Sequence, residues 1–332
     1  MAMWALGSRE DACRQLENAL DLVRASALTY CGPIVLACLA WMSHDARQRA
    51  RALAEGRDIL GKGAVSHIND WLLLRPIFKD GRLIAYAAMF GHMTDVGGKV
   101  PGSLPTDARQ IFEEGIRIPP TKIFKKDVLQ EDVLNLILHN CRLPHWNRSD
   151  FNAIVAAIRT AEKRVVEMAR RFGDDIYYSA LEDLLDRNRR AMAHLIKTTV
   201  PTRKQYFEDY ICDDGMGMGP YKIRCTMWRE GEKVVFDFTG TDPQSISSIN
   251  FLLNEEMFKM FAGVYMIMVF DPQILFNDGF YDLMDVRIPP GTLLKPLKPA
   301  ALSCRTHALG RIFDILGGLL GQGNPQFMCA AG

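Results

Sequence analysis

The chain has 332 residues, 48% of them hydrophobic, which is enough for one large or two ordinary globular domains. Its 40 basic and 39 acidic side chains nearly cancel and form no basic block, which argues against a nucleic-acid-binding protein. The eight cysteines are dispersed without a CxxC pair, which predicts a reduced, cytoplasmic protein.

Residues 1–60 are predicted to form a helical entry segment, because alanine-rich helical periodicity runs from about residue 9 to residue 56. The apolar run within it, Pro33 to Met42, has about half the length of a bilayer span, which predicts no membrane anchor.

Residues 56–62 match the start of a phosphate-binding loop, but Gly63 replaces the hydroxyl residue that binds magnesium. Any ATP is therefore expected to bind elsewhere.

A β-hairpin is predicted next. Two short apolar runs, Leu72 to Ile77 and Leu83 to Phe90, read as strands, and the Asp80-Gly81 step between them is a hairpin signal. An antiparallel hairpin returns the chain to its starting point. His67, before the first strand, and His92, after the second, are therefore expected to be neighbours.

His67, Asp70 and His92 are the predicted metal ligands. Two imidazoles and a carboxylate suit a divalent ion, and three protein ligands leave positions open for water or substrate. The spacing alone is a weak signal, because a histidine near a turn usually only forms hydrogen bonds. Asp95 is a further candidate, either as a fourth ligand or as a residue that fixes an imidazole tautomer.

The fold class predicted is α+β: the helical entry segment, the hairpin with the metal site, a helical middle and a β-rich C-terminal region. The predicted domains are residues 1–60, 61–200 and 201–332. The middle helices are expected at Asp127–Leu138, Asp150–Phe172 and Asp175–Lys197. The later strands are expected at Tyr206–Cys212, Tyr221–Trp228 and Val234–Phe238, and two further helices at Phe251–Phe270 and Thr306–Gln322, on either side of a loop-rich stretch, 271–299.

The other short motifs are interpreted as structural features and not as catalytic or binding sites. The chain contains no GxSxG, dinucleotide-binding or HExxH pattern. Residues 213–215 and 277–279 resemble parts of calcium loops but lack the remaining ligands, so they are interpreted as turns. Cys141, between His139 and His145, is interpreted as a buried thiol rather than a second metal site.

Nine short stretches, in this order, resemble the hydantoinase B and acetone carboxylase alpha-subunit family. They are 63–70 (GAVSHIND), 91–98 (GHMTDVGG), 101–103 (PGS), 114–120 (EGIRIPP), 140–144 (NCRLP), 237–241 (DFTGT), 248–250 (SIN), 276–282 (FNDGFYD) and 305–311 (RTHALGR). The stretches around residues 254–260 and 276–285 look more like ketone carboxylases, such as the acetone and acetophenone enzymes, than hydantoin hydrolases.

The resemblance implies an alpha-type subunit of an ATP-dependent ketone carboxylase, a ligase that forms carbon–carbon bonds. It implies a divalent ion, Mn²⁺ first and otherwise Zn²⁺ or Fe²⁺, on His67, Asp70 and His92. It also implies a hydantoinase A-like partner that binds ATP and phosphorylates ketone and bicarbonate, and a small third subunit. The activated pair would then form a 3-oxo acid, with Asp95 and His307 as catalytic or substrate-facing candidates.

Two alternatives remain open. The same ion would serve an ATP-dependent hydantoinase or oxoprolinase type of cyclic amide hydrolase, although the additional amino-terminal aspartate motif usual in hydrolases is not found here. The chain also departs from the family in a short amino-terminal region, in the extra Ser66 before the first motif and in lacking the carboxyl-terminal part of an alpha subunit. A shortened, non-catalytic structural subunit is therefore the third hypothesis.

Overall fold

The computed structural model describes residues 67–327, which form two units. The first contains residues 69–96 and 116–177, and the second contains residues 97–115 and 178–327 together with the two residues that lead into the first strand. The predicted entry segment, its apolar run and the partial phosphate-loop motif lie outside the described residues. The predicted domain limits stay predictions.

The first unit is built on a long antiparallel hairpin. Strand β1, Asp70–Lys79, pairs with strand β2, Arg82–His92, so both strands extend beyond their predicted bounds. The turn residues Asp80 and Gly81 have φ angles of 50° and 78°, the left-handed conformation that an Asp-Gly turn provides. The predicted hairpin is therefore present.

Three helices form the predicted helical middle. They are α1 (Glu131–His139), α2 (Pro144–Phe172) and α3 (Asp174–Thr199). Helix α2 begins with a proline at its first turn and ends before Gly173, whose φ of 82° suits a glycine C-cap. It buries a stripe of apolar residues at helical spacing, Phe151, Ile154 and Ile158.

The predicted start of α1 at Asp127 is wrong. Residues Phe124–Lys125 (β3) and Val128–Leu129 (β4) form a minimal hairpin instead. Its turn residues, Lys126 and Asp127, have positive φ angles of 51° and 65°, which a helix cannot contain. Helix α1 therefore starts only at Glu131, where acidic residues in its first turn favour a helix N-terminus.

The second unit contains a four-stranded sheet in the order β5-β6-β7-β8. The predicted strands are present as β5 (Gln205–Ile211), β6 (Tyr221–Glu230) and β7 (Lys233–Asp237), which pair antiparallel. Strand β8, Met284–Arg287, was not predicted and pairs parallel with β7. Residues 271–299 were predicted only to be loop-rich, and this short strand within them was missed because a parallel partner leaves no local turn signal.

Two helices complete the core of the second unit. Helix α4 is Glu255–Phe270 and helix α5 is Thr306–Gly321, close to their predicted bounds. The ring of Phe258 on α4 meets Phe236 and Phe238 edge to face, at centroid distances of 5.0 and 4.9 Å. On α5 a Cβ at Gly318 would lie 2.6 Å from the Phe207 ring, so glycine permits this close approach.

The described residues agree with a mixed α/β protein. Within residues 67–327, no helix combines the length and apolar character that crossing a membrane requires. The four cysteines in this range, Cys141, Cys212, Cys225 and Cys304, are free thiols. Cys141 is buried and directs its thiol to the Ile137 carbonyl, as the structural interpretation predicted.

Candidate metal centre

The hairpin places Asp70 directly opposite His92. Counting back from the turn, Lys79 pairs with Arg82, and an uninterrupted ladder would put Gly91 opposite Asp70. The register shifts by one residue between Ile77 and Phe78, and this β-bulge brings His92 into line with Asp70 instead. Because a one-residue slip turns a side chain to the other face, the bulge is what lets the two side chains meet.

The side chains of Asp70 and His92 are in contact, with His92 Nδ1 3.1 Å from Asp70 Oδ1. His67 precedes Asp70 by three residues, and one ligand atom from each of the three lies within 4.8 Å of the others. Ligand atoms about 2.1 Å from a shared ion are separated by roughly 3 to 4 Å. The three residues therefore form a candidate site for one divalent ion.

The three side chains differ in their access to solvent. His67 is 2% exposed, whereas the His92 side chain is 49% exposed and that of Asp70 lies between them. An ion held by these residues would be anchored from the protein interior at His67. It would be open to water or substrate on the side of His92.

Backbone and amide contacts fix the end of the hairpin next to these ligands. The Met93 N–H donates to the Asn69 carbonyl at 2.8 Å, and the Asn69 side-chain amide donates to the Met93 carbonyl at 3.0 Å. Both residues are fully buried. Since each is the immediate neighbour of a candidate ligand, this pair holds the backbones of Asp70 and His92 in register.

Asp95 is buried, and its carboxylate pairs with Arg142, which is not one of the candidate metal ligands. Its carboxylate accepts hydrogen bonds from the Arg142 backbone N–H at 3.0 Å and from the Arg142 guanidinium at 3.1 Å. The amide of Asn147, in the first turn of α2, donates to the Asp95 carbonyl. These contacts tie the segment after His92 to the start of α2, and a direct role for Asp95 at the ion stays a prediction.

Replacing Asp95 by alanine is expected to lower the free energy of unfolding by about 1 to 3 kcal/mol, because the Arg142 N–H and guanidinium lose a buried acceptor. Urea denaturation measures this loss, with Asp150→Ala, on the exposed part of α2, as the matched control. A direct ligand role would instead show as a large loss of metal affinity with little loss of stability.

His307 lies at the start of α5 in the second unit and does not belong to the ligand cluster. It is exposed and lines an open cavity of about 510 Å³ with, among others, Cys212, Cys304 and Arg311. Arg311 is paired there with Asp209 and Asp314. The structure thus brings His67, Asp70 and His92 together. A catalytic role for His307 stays a prediction.

Glu114 is a buried acid that was not singled out as a site residue. It is fully buried in the second unit, and its Oε1 accepts hydrogen bonds from the backbone N–H groups of Leu302 and Ser303. Among the described residues its Oε2 has no hydrogen-bond partner. Burial raises the pKa of Glu114 to about 7. Its only sequence signal was membership in the EGIRIPP stretch.

The family model for hydantoinase B/oxoprolinase matches residues 60–332 of the chain. Caprolactamase subunit beta from Pseudomonas jessenii is 30% identical over 270 residues, which are 80% of this chain and 45% of that protein. The acetophenone carboxylase delta subunit from Aromatoleum aromaticum is 25% identical over 245 residues, 72% of this chain and 35% of that protein. The chain thus spans less than half the length of these relatives.

Solved structures have the same fold. The crystal structure of the ATP-dependent caprolactamase from Pseudomonas jessenii matches with a TM-score of 0.72 at 29% identity, over 79% of this chain and 45% of that one. The nucleotide-free structure of acetone carboxylase matches with a TM-score of 0.71 at 22% identity, over 79% of this chain and 37% of that one. The mixed α/β fold is confirmed.

Proposed function

The chain belongs to the hydantoinase B/oxoprolinase family, and we propose that its hairpin provides the divalent-metal site of an ATP-dependent enzyme acting on a carbonyl compound. The observation that carries this proposal is the convergence of His67, Asp70 and His92 within 4.8 Å. Their donor set, two imidazoles and one carboxylate, suits Mn²⁺, Zn²⁺ or Fe²⁺.

The reaction we propose is ketone carboxylation by an alpha-type subunit. Water cleaves the phosphorylated ketone to its enolate and inorganic phosphate. The enolate carbon then bonds to the carboxyl carbon of phosphorylated bicarbonate, whose phosphate leaves, and the product is a 3-oxo acid. A divalent ion supplies Lewis-acid stabilisation of the negative charge that develops on enolate and carboxyl oxygens. Support comes from the stretches near residues 254–260 and 276–285, which resemble ketone carboxylases, and from the similarity to an acetophenone carboxylase subunit.

Each of the three candidate ligands has its own proposed role at the site. Asp70, whose side chain is largely buried, contacts His92 Nδ1 and so fixes the orientation of that imidazole. His67 anchors the interior side, and the exposed side of His92 receives the reactants. The Asn69–Met93 pair keeps the two ends of the hairpin closed while reactants exchange.

ATP is proposed to act on a partner subunit. Gly63 occupies the position where a phosphate-binding loop needs a hydroxyl side chain. The two relatives are named as subunits, caprolactamase subunit beta and the acetophenone carboxylase delta subunit, so each belongs to an enzyme with further subunits. A hydantoinase A-like chain would therefore phosphorylate the substrates, with a small third subunit completing the complex.

Hydrolysis of a cyclic amide is the second candidate function. It is favoured by the 30% identity to caprolactamase subunit beta and by the TM-score of 0.72 to the caprolactamase structure. In this reaction the site would orient a water molecule toward an activated ring carbonyl. The same three ligands serve both reactions, so the substrate must be tested directly.

A complex of the chain with a hydantoinase A-like subunit is expected to incorporate ¹³C-bicarbonate into acetone or acetophenone in the presence of ATP and Mn²⁺. The products are measured by mass spectrometry, with caprolactam and 5-oxoproline as parallel substrates. Removal of the ion with EDTA should abolish turnover and its return should restore it. Ring opening without ¹³C incorporation would establish the amide hydrolase instead, and turnover that survives metal removal would establish the non-catalytic scaffold.

A further inference from the structure

One face of the hairpin carries the candidate ligands and continues as an apolar surface. Cross-strand partners share a face and alternate residues repeat it, so the Asp70–His92 pair is followed on that face by Leu72–Phe90 and then Leu74–Ala88. These four following residues are all uncharged. The surface begins directly beside the metal ligands.

Helix α2 packs on the opposite face of the hairpin. A Cβ at Gly91 would lie 2.7 Å from the Ile154 side chain of α2, and Arg75 is paired with Glu162 of the same helix at 2.7 Å. Gly91 and Arg75 both belong to the alternate set of hairpin positions. The apolar surface with Phe90 therefore faces away from α2.

Phe90 is 61% exposed, although it is the large aromatic residue next to the ligand pair. Leu74, one pair further on, is also exposed. Exposed apolar surface of this kind is unfavourable in water and commonly marks a place where a ligand binds. Here the exposed surface is continuous with the candidate metal site, because Phe90 and Leu72 form the next pair on the face of Asp70 and His92.

We propose that Phe90 determines substrate specificity by receiving an apolar group, larger than methyl, that is attached to the reacting carbonyl. The inference rests on the proposed metal site and deepens it. Adjacent same-face positions lie about 7 Å apart along a strand, so a phenyl or branched alkyl group next to a carbonyl held at the ligands reaches Phe90. An aromatic substituent would gain ring contact there, whereas a charged one would lose hydration against Leu72 and Phe90.

Two hydroxamates test the proposal, because both chelate a divalent ion through the same group but carry a methyl or a phenyl substituent. Their affinities for the full chain loaded with Mn²⁺ are measured by calorimetry. Benzohydroxamate is expected to bind about tenfold more tightly than acetohydroxamate, and Phe90→Ala should reduce this ratio by about three- to tenfold. Acetohydroxamate affinity, metal content and thermal unfolding should be unchanged in this variant.

Phe112→Ala is the matched control, since Phe112 is a phenylalanine of similar exposure, 63%, and does not belong to the hairpin. It should leave the ratio unaltered, and Phe90→Leu should retain part of it. An unaltered ratio in Phe90→Ala, with the ion still bound, would overturn this inference and leave the proposed function intact. If Phe90→Ala changed the oligomeric mass of the protein and left the affinity ratio unaltered, the face would be assigned to binding of a polypeptide. This result would also overturn the inference. Absence of a bound ion in the unmodified chain would refute both proposals.

Discussion

Replacing His92 by alanine is expected to lower the affinity of the chain for Mn²⁺ or Zn²⁺ at least about 100-fold. Changes to residues that merely support a ligand already cost about 10- to 100-fold in affinity, so loss of a direct ligand should reach or exceed that range. The side chain is half exposed at a strand end, so its removal should leave the fold intact. Competition with a chelator of known affinity measures the change.

His145→Ala is the matched control for this variant, because His145 is an exposed histidine at the start of α2 and does not belong to the ligand cluster. It should bind metal as the unmodified chain does. Equal metal affinity in the two variants would remove His92 from the ligand set. It would indicate that His92 is only a hydrogen-bonding partner of Asp70.

Replacing Glu114 by glutamine is expected to remove a pH dependence of stability. The pKa of Glu114 is raised from 4.5 to about 7, chiefly by burial, with Glu113 raising it further and Arg305 and the two backbone donors opposing. The folded protein therefore holds this proton more tightly than the unfolded chain. Its contribution to stability is complete below pH 4.5 and is lost as the pH rises through 7.

The size of this effect follows from the two pKa values. Between pH 5 and pH 8 the unfolding free energy of the unmodified chain, relative to Glu114→Gln, should fall by about 2.5 kcal/mol. Glutamine keeps the oxygen that accepts from Leu302 and Ser303 but does not titrate. Urea denaturation at both pH values measures the difference.

Glu182→Gln, on the exposed surface of α3, is the matched control and should show no comparable change between the two pH values. Parallel stability curves for Glu114→Gln and the unmodified chain would contradict the assignment. They would mean that the Glu114 carboxyl is ionised to the same extent in the folded and unfolded states.

The hairpin was predictable because its signals are local. Asp80 and Gly81 supply the left-handed turn, and the apolar runs on either side supply the strands. What the sequence did not indicate is the bulge near Ile77, which decides that Asp70 faces His92 rather than Gly91. The neighbourhood of the ligands was thus predictable, but their register was not.

Features that depend on distant partners were missed. Strand β8 forms through parallel pairing with β7, roughly 50 residues earlier in the chain. Glu114 is buried by the backbone near residue 302, and Asp95 pairs with Arg142, 47 residues away. Each partner lies far along the chain, so periodicity and spacing around the residue itself carry no signal for it.

Anomalous diffraction from a crystal of the chain grown with Mn²⁺ would locate the ion relative to His67, Asp70 and His92. We expect one strong peak within about 2.0 to 2.4 Å of a nitrogen of His67, a nitrogen of His92 and an oxygen of Asp70, with at least one coordination position open. A peak located elsewhere, or these three side chains directed away from one another with no ion between them, would contradict this expectation.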